Sequence, residues 1–137
     1  MKKVDTGIEG FDRIAEGGFV QGSVNLISGG SGTGKTIFTI GYLVNGARVR
    51  DEPGLFITFE ESRSNIIDNL PERLHSEVQS LSEKVWFFDL SVIRRMSTIP
   101  EEKGGITSVL DADVVIEIIE SWVKEKGVKR VVLDGVA

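Results

Sequence analysis

Apolar residues recur along the chain in two alternating patterns, short continuous runs and longer stretches with helical spacing. Runs rich in Val, Ile, Leu and aromatic residues are typical of buried strands, whereas apolar positions three and four residues apart are typical of helices. The runs predict strands over 22–28, 55–59, 85–90 and 129–134. Because such strands alternate with helices, the pattern favours the α/β class, with a parallel sheet covered by helices on both faces.

Turn and cap residues frame the helices between the first strands. A helix is predicted over 35–49, and turn residues follow over 51–54. The next helix begins at a cap provided by Ser62 or Ser64. Pro71 disfavours a helical residue before it, so this helix is expected to break or restart there.

The second half of the chain has one long connection and one more helix. Residues 91–110 are predicted to be a loop of about 20 residues, a length that is uncommon in compact domains and often functional. Asp111 or Asp113 then caps a helix with one apolar stripe, and Gly127 ends it.

Residues 29–36 read GGSGTGKT and fit the phosphate-binding pattern G-x-x-x-x-G-K-[ST], between a predicted strand and a predicted helix. The glycines allow successive backbone N–H groups to point at phosphate oxygens, and the helix N-terminus favours the same negative charge. Lys35 is placed to reach the β- and γ-phosphates, and Thr36 offers a hydroxyl to Mg²⁺. The predicted nucleotide-binding residues are Gly29, Gly30, Ser31, Gly32, Thr33, Gly34, Lys35 and Thr36.

Acidic residues follow two of the other predicted strands. Asp134 ends the last apolar strand, as in a Walker B strand, whose carboxylate lies near Mg²⁺ at the carboxyl edge of the sheet. Glu60 and Glu61 follow the strand over 55–59, where a carboxylate would orient the water that attacks a phosphate. Acids that open a helix are equally explained by the helix dipole, so spacing alone leaves both interpretations open.

These residues together resemble the KaiC-like branch of the RecA superfamily of P-loop ATPases. The similarity includes the segments TGIEGFD at 6–12 and GGFVQGS at 17–23, the FEE at 59–61 and the RVVLD at 130–134. The resemblance implies a RecA-like fold, ATP binding with Mg²⁺ at Thr36 and Asp134, and slow hydrolysis assisted by Lys35 and by Glu60 or Glu61. It also implies rings, usually hexameric, with ATP between neighbouring subunits.

The sequence departs from the family pattern in two places. Gly135 stands where the family often has Ser, and the family continues beyond Ala137. In the RecA-like strand order 3-2-4-5-1, a later strand separates the P-loop strand from the Walker B strand. We therefore expect one partial domain over 1–137, the N-terminal half of an ATPase core, with a P-loop unit at 22–50 and the Walker B strand at 129–134. Alone, it is expected to fold weakly, self-associate and hydrolyse ATP poorly.

Composition narrows the alternatives. The net charge of −5 counts against a nucleic-acid surface, and therefore against the alternative of a DNA recombinase or helicase-like relative. A module that senses nucleotide without hydrolysing it remains a second alternative to a regulatory ATPase.

The chain has no cysteine, one histidine and no apolar run of about 20 residues. A cytoplasmic protein with no membrane partner is therefore expected. Glycine is concentrated early, with 12 of the 16 glycines in the first 54 residues.

Overall fold

The structure is a computed structural model that describes residues 1–30, 33–92 and 112–135. The predictions for Ser31, Gly32, Asp111 and most of the 91–110 loop lie outside these residues. The strands are β1 (Lys3–Val4), β2 (Phe19–Val20), β3 (Gly54–Thr58), β4 (Val85–Asp89) and β5 (Arg130–Asp134). The helices are α1 (Glu9–Ile14), α2 (Lys35–Val49), α3 (Arg63–Asp68), α4 (Glu72–Ser80) and α5 (Ala112–Lys126). Among the described helices, none is long and apolar enough to cross a membrane.

The main sheet is parallel and has the strand order β4-β3-β5. This confirms the predicted parallel sheet. The RecA-like order 3-2-4-5-1 counts from the P-loop strand, so β4, β3 and β5 correspond to its strands 3, 2 and 4 and follow its order. Thr58, at the end of β3, pairs with Asp89 of β4 on one side and with Asp134 of β5 on the other. The register therefore aligns two carboxylates and a hydroxyl along the carboxyl edge, where ligands bind in open α/β sheets.

Helices cover both faces of the sheet, as the apolar pattern predicts. All five residues of β3 are buried, which is typical of a central parallel strand. One core cluster joins α2, α3 and the strands through residues such as Leu43, Phe56 and Ile66. The other joins the opposite face to α5 through Leu55 and Val115, among others. The sheet thus holds α2, which begins at the P-loop, on one face and α5 on the other.

The strand predicted over 22–28 is wrong, because residues 23–30 form neither helix nor strand. The side chains of Val24 and Leu26 are 101% and 79% exposed. A strand is stabilised by pairing with a neighbour and by burial of its side chains. Within the described residues β5 pairs with β3 alone, and nothing pairs with the 23–30 segment. Its apolar sequence has strand propensity, but in the part of the chain that the structure describes no partner strand lies beside it.

The predicted helix limits are largely confirmed. The hydroxyl of Ser62 accepts a hydrogen bond from the amide of Asn65 at 3.2 Å, so Ser62, and not Ser64, caps α3. The helix restarts as α4 directly after Pro71. At the other end of the chain, α5 ends at Lys126, directly before Gly127.

The N-terminal segment packs onto α2. The carboxylate of Asp12 accepts hydrogen bonds from the amide and the hydroxyl of Thr6, which is fully buried. The ring of Phe11 contacts the rings of Phe19 and Phe38 with centroid separations of 5.2 and 5.4 Å. Because Phe38 belongs to α2, this aromatic cluster holds the N-terminal segment against the first turns of the helix that begins at the P-loop.

Candidate functional site

The described part of the P-loop curls directly into α2. The hydroxyl of Thr33 donates to the carbonyl of Gly30 at 2.7 Å. Gly34 precedes the helix with a φ of 87°, a left-handed conformation that favours glycine. The first helical hydrogen bond runs from the amide of Phe38 to the carbonyl of Gly34 at 2.9 Å. The amides before Phe38 are therefore left without helical partners, as at any helix start.

Lys35 and Thr36 form the first turn of α2. The side chain of Lys35 is exposed and, among the described residues, makes no hydrogen bond or ion pair. Thr36 is half-buried. Both side chains lie at the N-terminus of a 15-residue helix, whose dipole favours an anion.

Asp134 ends β5 at the same edge of the sheet. Its carbonyl accepts a hydrogen bond from the amide of Phe59 at 3.1 Å, which fixes the end of β5 against the segment that carries the two glutamates. Burial raises the pKa of the Asp134 carboxyl, the positive charge of Lys35 opposes that rise, and the negative charge of Glu60 adds to it. Lys35 and Glu60, which precede Asp134 by about 100 and 74 positions, therefore both lie within electrostatic range of its carboxylate.

The two adjacent glutamates have different surroundings. Glu60 lies beside the residue after Asp134: a Cβ placed on Gly135 would be 3.4 Å from the Cγ of Glu60. Glu61 is turned toward α3, where its carboxylate accepts a hydrogen bond from the side-chain amide of Asn65. The carbonyl of Glu61 also accepts from the hydroxyl of Thr58 at 2.7 Å. The structure thus separates the pair that the sequence leaves together, with Glu60 on the Asp134 side.

Sequence reasoning missed three residues that shape this edge: Thr58, Asn65 and Asp89. Asp89 accepts from the amide of Arg63 at 3.0 Å and from the amide of Ser91 at 2.9 Å, so its carboxylate holds the start of α3. A signal for Asn65 was present, because it lies four residues after Glu61 at the start of a capped helix. Asp89 could have been noticed as a second carboxylate that ends a buried strand.

The donor chemistry of this edge fits Mg²⁺. A threonine hydroxyl and an aspartate carboxylate supply hard oxygen ligands, and Mg²⁺ in nucleotide sites commonly uses few protein ligands, with phosphates and waters completing its coordination. The described residues contain no group of three or more His, Cys, Asp or Glu arranged to bind a metal. The hydroxyl of Thr36 and the carboxylate of Asp134, which the sequence predicts as Mg²⁺ ligands, are of the chemical kind that this ion takes.

Comparison with known proteins gives consistent matches over the whole chain. The family model described as "ATPase: KaiC" matches residues 4–137. The circadian clock oscillator protein KaiC of Thermostichus vulcanus is 39% identical over 139 residues, which cover 99% of this chain and 25% of that protein. The proteins of that name from Prochlorococcus marinus and Nostoc sp. are 39% and 37% identical and cover 98% and 99% of this chain. The chain spans about a quarter of the length of these relatives.

Proposed function

Because this chain belongs to the KaiC family of ATPases, we propose that it binds ATP with Mg²⁺ at the P-loop and hydrolyses it. The observation that carries the proposal is the arrangement of three residues: Lys35 begins α2 at the P-loop, Asp134 ends β5, and Glu60 lies beside Gly135. The charge of Lys35, which opposes the raised pKa of the Asp134 carboxyl, supports this arrangement. A cation, a metal-binding carboxylate and a second carboxylate at one sheet edge are the groups that phosphoryl transfer to water requires.

The residues of this edge have distinct roles in the proposed reaction. Backbone amides of residues 29–36 bind the phosphates, and Lys35 neutralises charge on the β- and γ-phosphates. Thr36 and Asp134 hold Mg²⁺, which when bound polarises the phosphate oxygens and offsets their charge. The half-buried position of Asp134 strengthens its interaction with a cation, because the effective dielectric constant is lower there than in water.

We assign the water-orienting role to Glu60. Its side chain lies beside Gly135 at the end of β5, and its charge acts on the carboxyl of Asp134. The carboxylate of Glu61 faces α3 instead, where it accepts a hydrogen bond from Asn65. An ionised carboxylate at this point accepts a hydrogen bond from water and holds it for attack on the terminal phosphate. Glu61 then supports the turn between β3 and α3.

The proposal extends to the setting of the enzyme. We propose a regulatory ATPase that acts in the cytoplasm as an oligomer, in the form of a hexameric ring with ATP between neighbours. The relatives named as circadian clock oscillator proteins support a regulatory role. The net charge of −5 supports a role that does not involve nucleic acid.

The experiment compares Lys35→Ala with Lys84→Ala in the protein as its gene encodes it. Lys84 is the control because it lies at the opposite end of the sheet from Lys35. There its carbonyl accepts a hydrogen bond from the amide of Gly54. Removal of a charged hydrogen-bond donor costs about 1.5–3 kcal/mol, so Lys35→Ala should weaken ATP binding by about 10- to 100-fold. Lys84→Ala should bind ATP as the parent does.

Phosphate release distinguishes the remaining alternatives. The proposal predicts steady release of phosphate from ATP, without stimulation by a polynucleotide. Tight ATP binding without release would contradict hydrolysis and support a nucleotide sensor. Strong stimulation by a polynucleotide would contradict the regulatory ATPase and support a recombinase-like enzyme.

A further inference from the structure

A buried arginine lies at the start of β5, at the end of the strand remote from the candidate site. The side chain of Arg130 is only 1% exposed. Its guanidinium donates to the carbonyls of Asp5 and Tyr42 at 2.8 and 2.9 Å. It also donates to the carboxylates of Asp5 and Glu52 at 3.1 and 3.0 Å. The planar donor fork of an arginine is thus fully engaged, with its carbon centre 4.7 Å from the ring centroid of Tyr42.

These partners come from separate parts of the chain. Asp5 belongs to the N-terminal segment, Tyr42 to the middle of α2, and Glu52 to the turn between α2 and β3. Asp5 also accepts from Arg50 at 2.8 Å and from Asn45 at 3.2 Å, which ties the same carboxylate to the end of α2. Arg130 therefore connects β5 to three other segments, and we refer to Arg130, Asp5, Glu52 and Tyr42 as the arginine cluster.

The arginine cluster brings α2 and β5 close together. A Cβ built on Gly46 would lie 2.4 Å from the Nε of Arg130, so the guanidinium packs directly against the backbone of the helix. Between the cluster and the candidate site, Val132 packs with Ile40 and Leu43 of α2 in one core. Close-packed cores transmit displacements instead of absorbing them.

The geometry links this cluster to the candidate Mg²⁺ site. Lys35 and Thr36 start α2, about 10 Å along the helix from Tyr42 at 1.5 Å per residue. Asp134 ends β5, about 13 Å from Arg130 at 3.3 Å per residue. The residues of the site therefore lie at the ends of α2 and β5, the two elements that the arginine cluster holds together.

We propose that Arg130 is a positioning residue that sets the separation of Thr36 and Asp134 and so determines how strongly Mg²⁺ tightens ATP binding. This inference rests on the proposed function. A buried ion pair is by itself weak support for stability, since apolar residues of the same volume often stabilise as well. A fork with fixed donor directions, in contrast, specifies geometry.

The test measures the ATP dissociation constant with and without Mg²⁺ in the protein as its gene encodes it. The variants are Arg130→Lys, which keeps the charge and loses the fork, and Glu52→Gln, which keeps the shape and loses the charge of one partner. Val115→Ala is the control, because it truncates the core on the α5 face without touching the arginine cluster. Thermal unfolding identifies the variants that remain folded.

We expect the ratio of the ATP dissociation constants without and with Mg²⁺ to fall about tenfold in Arg130→Lys. This is the lower end of the effect of residues that orient metal ligands. Affinity for ATP without Mg²⁺ should stay near the parent value, and Val115→Ala should keep the full tightening. If Arg130→Lys does not fold, Glu52→Gln replaces it in the test. A fall of less than tenfold in its ratio of ATP dissociation constants supports the inference, and a ratio equal to that of the parent overturns it.

Two further results would contradict the inference. The first is a folded Arg130→Lys variant in which Mg²⁺ tightens ATP binding as much as in the parent. The second is an equal loss of this Mg²⁺ effect in Val115→Ala, which would mean that the arginine cluster contributes only to overall stability. A parent protein whose ATP affinity does not respond to Mg²⁺ would instead contradict the proposed function itself.

Discussion

The two ends of β5 differ in how their charged groups are satisfied. At its start, Arg130 is buried and donates to carbonyls and carboxylates of three other segments. At its end, Asp134 is half-buried beside the exposed side chains of Lys35 and Glu60, which act on it through their charges. One end is completed by the protein's own groups, whereas the other presents charged groups at the surface of the sheet edge.

Stability and chemistry are concentrated at opposite ends of this strand. Buried charges require partners with good geometry, and the chain provides them for Arg130. Within the described residues, no buried side-chain nitrogen or oxygen lacks a hydrogen-bond partner. Charged groups that are exposed at a sheet edge contribute less to stability than a buried group with well-placed partners.

The largest expected effect is on stability at the arginine end. Arg130→Met keeps much of the side-chain volume but leaves the carboxylates of Asp5 and Glu52 without their shared partner. Breaking such a pair costs about 3–5 kcal/mol, and the lower value is expected because both carboxylates are partly exposed. Urea unfolding should show the loss. A variant as stable as the parent would mean that the arginine cluster contributes little.

The next effect is on chemistry at the aspartate end. Glu60→Gln removes the carboxylate proposed to orient water and should lower the ATP hydrolysis rate about 100-fold. Glu61→Gln is the matched control, because a glutamine oxygen still accepts the hydrogen bond of Asn65. Phosphate release under saturating ATP measures both variants. A larger loss in Glu61→Gln would exchange the roles of the two residues.

Two glycines of α2 provide a smaller and opposite pair of effects. Gly46→Ala places a methyl group against Arg130 and should destabilise the protein by about 1–3 kcal/mol. Gly41→Ala meets no atom within 4 Å and should stabilise it by up to about 1 kcal/mol through helix propensity. Thermal unfolding of the two variants compares them directly. Equal shifts of the same sign would contradict the close approach at Gly46.

The smallest effect is the pH dependence that Asp5 contributes. The hydrogen bond from Arg50, with the further charge of Arg130, lowers the pKa of the Asp5 carboxyl against the opposing effect of burial. A carboxyl with a lowered folded pKa stabilises the protein above its unfolded pKa of about 3.9, and that stability is lost as the pH falls through the folded pKa. Asp5→Asn should therefore flatten the acid side of the stability profile. Parallel profiles for parent and variant would exclude this contribution.

The elements that sequence reasoning predicted well are those with strong local signals. The helix α2, the central strand β3 and the strand β5 are framed by glycine, proline or turn residues, and each has a clear apolar pattern. The segment over 22–28 has the same local signal, but strand formation also requires a neighbour, which no local pattern reports. A strand that fills the place between this segment and β5 stays a prediction.

The site could be predicted only in part. The P-loop motif fixes the order of its residues, so Lys35 and Thr36 were assigned by pattern alone. Adjacent glutamates share one pattern, and the structure distinguishes them by position, with Glu60 beside Gly135 and Glu61 bonded to Asn65. Arg130 looks like an ordinary charged residue before a strand, and its partner Asp5 is 125 positions away in the chain. The spacing of apolar residues within a helix or strand cannot predict contacts between residues so far apart in the chain.

Amide hydrogen exchange with and without ATP and Mg²⁺ tests the contrast between the two ends of β5 most directly. We expect slower exchange on binding at residues 33–38, 59–61 and 134–135, because a bound nucleotide would cover this edge of the sheet and hold it against local opening. We expect no change at 43–47 and 130–132, where the arginine cluster is already complete. Equal slowing at both ends, or slowing only at the Arg130 end, would contradict the account.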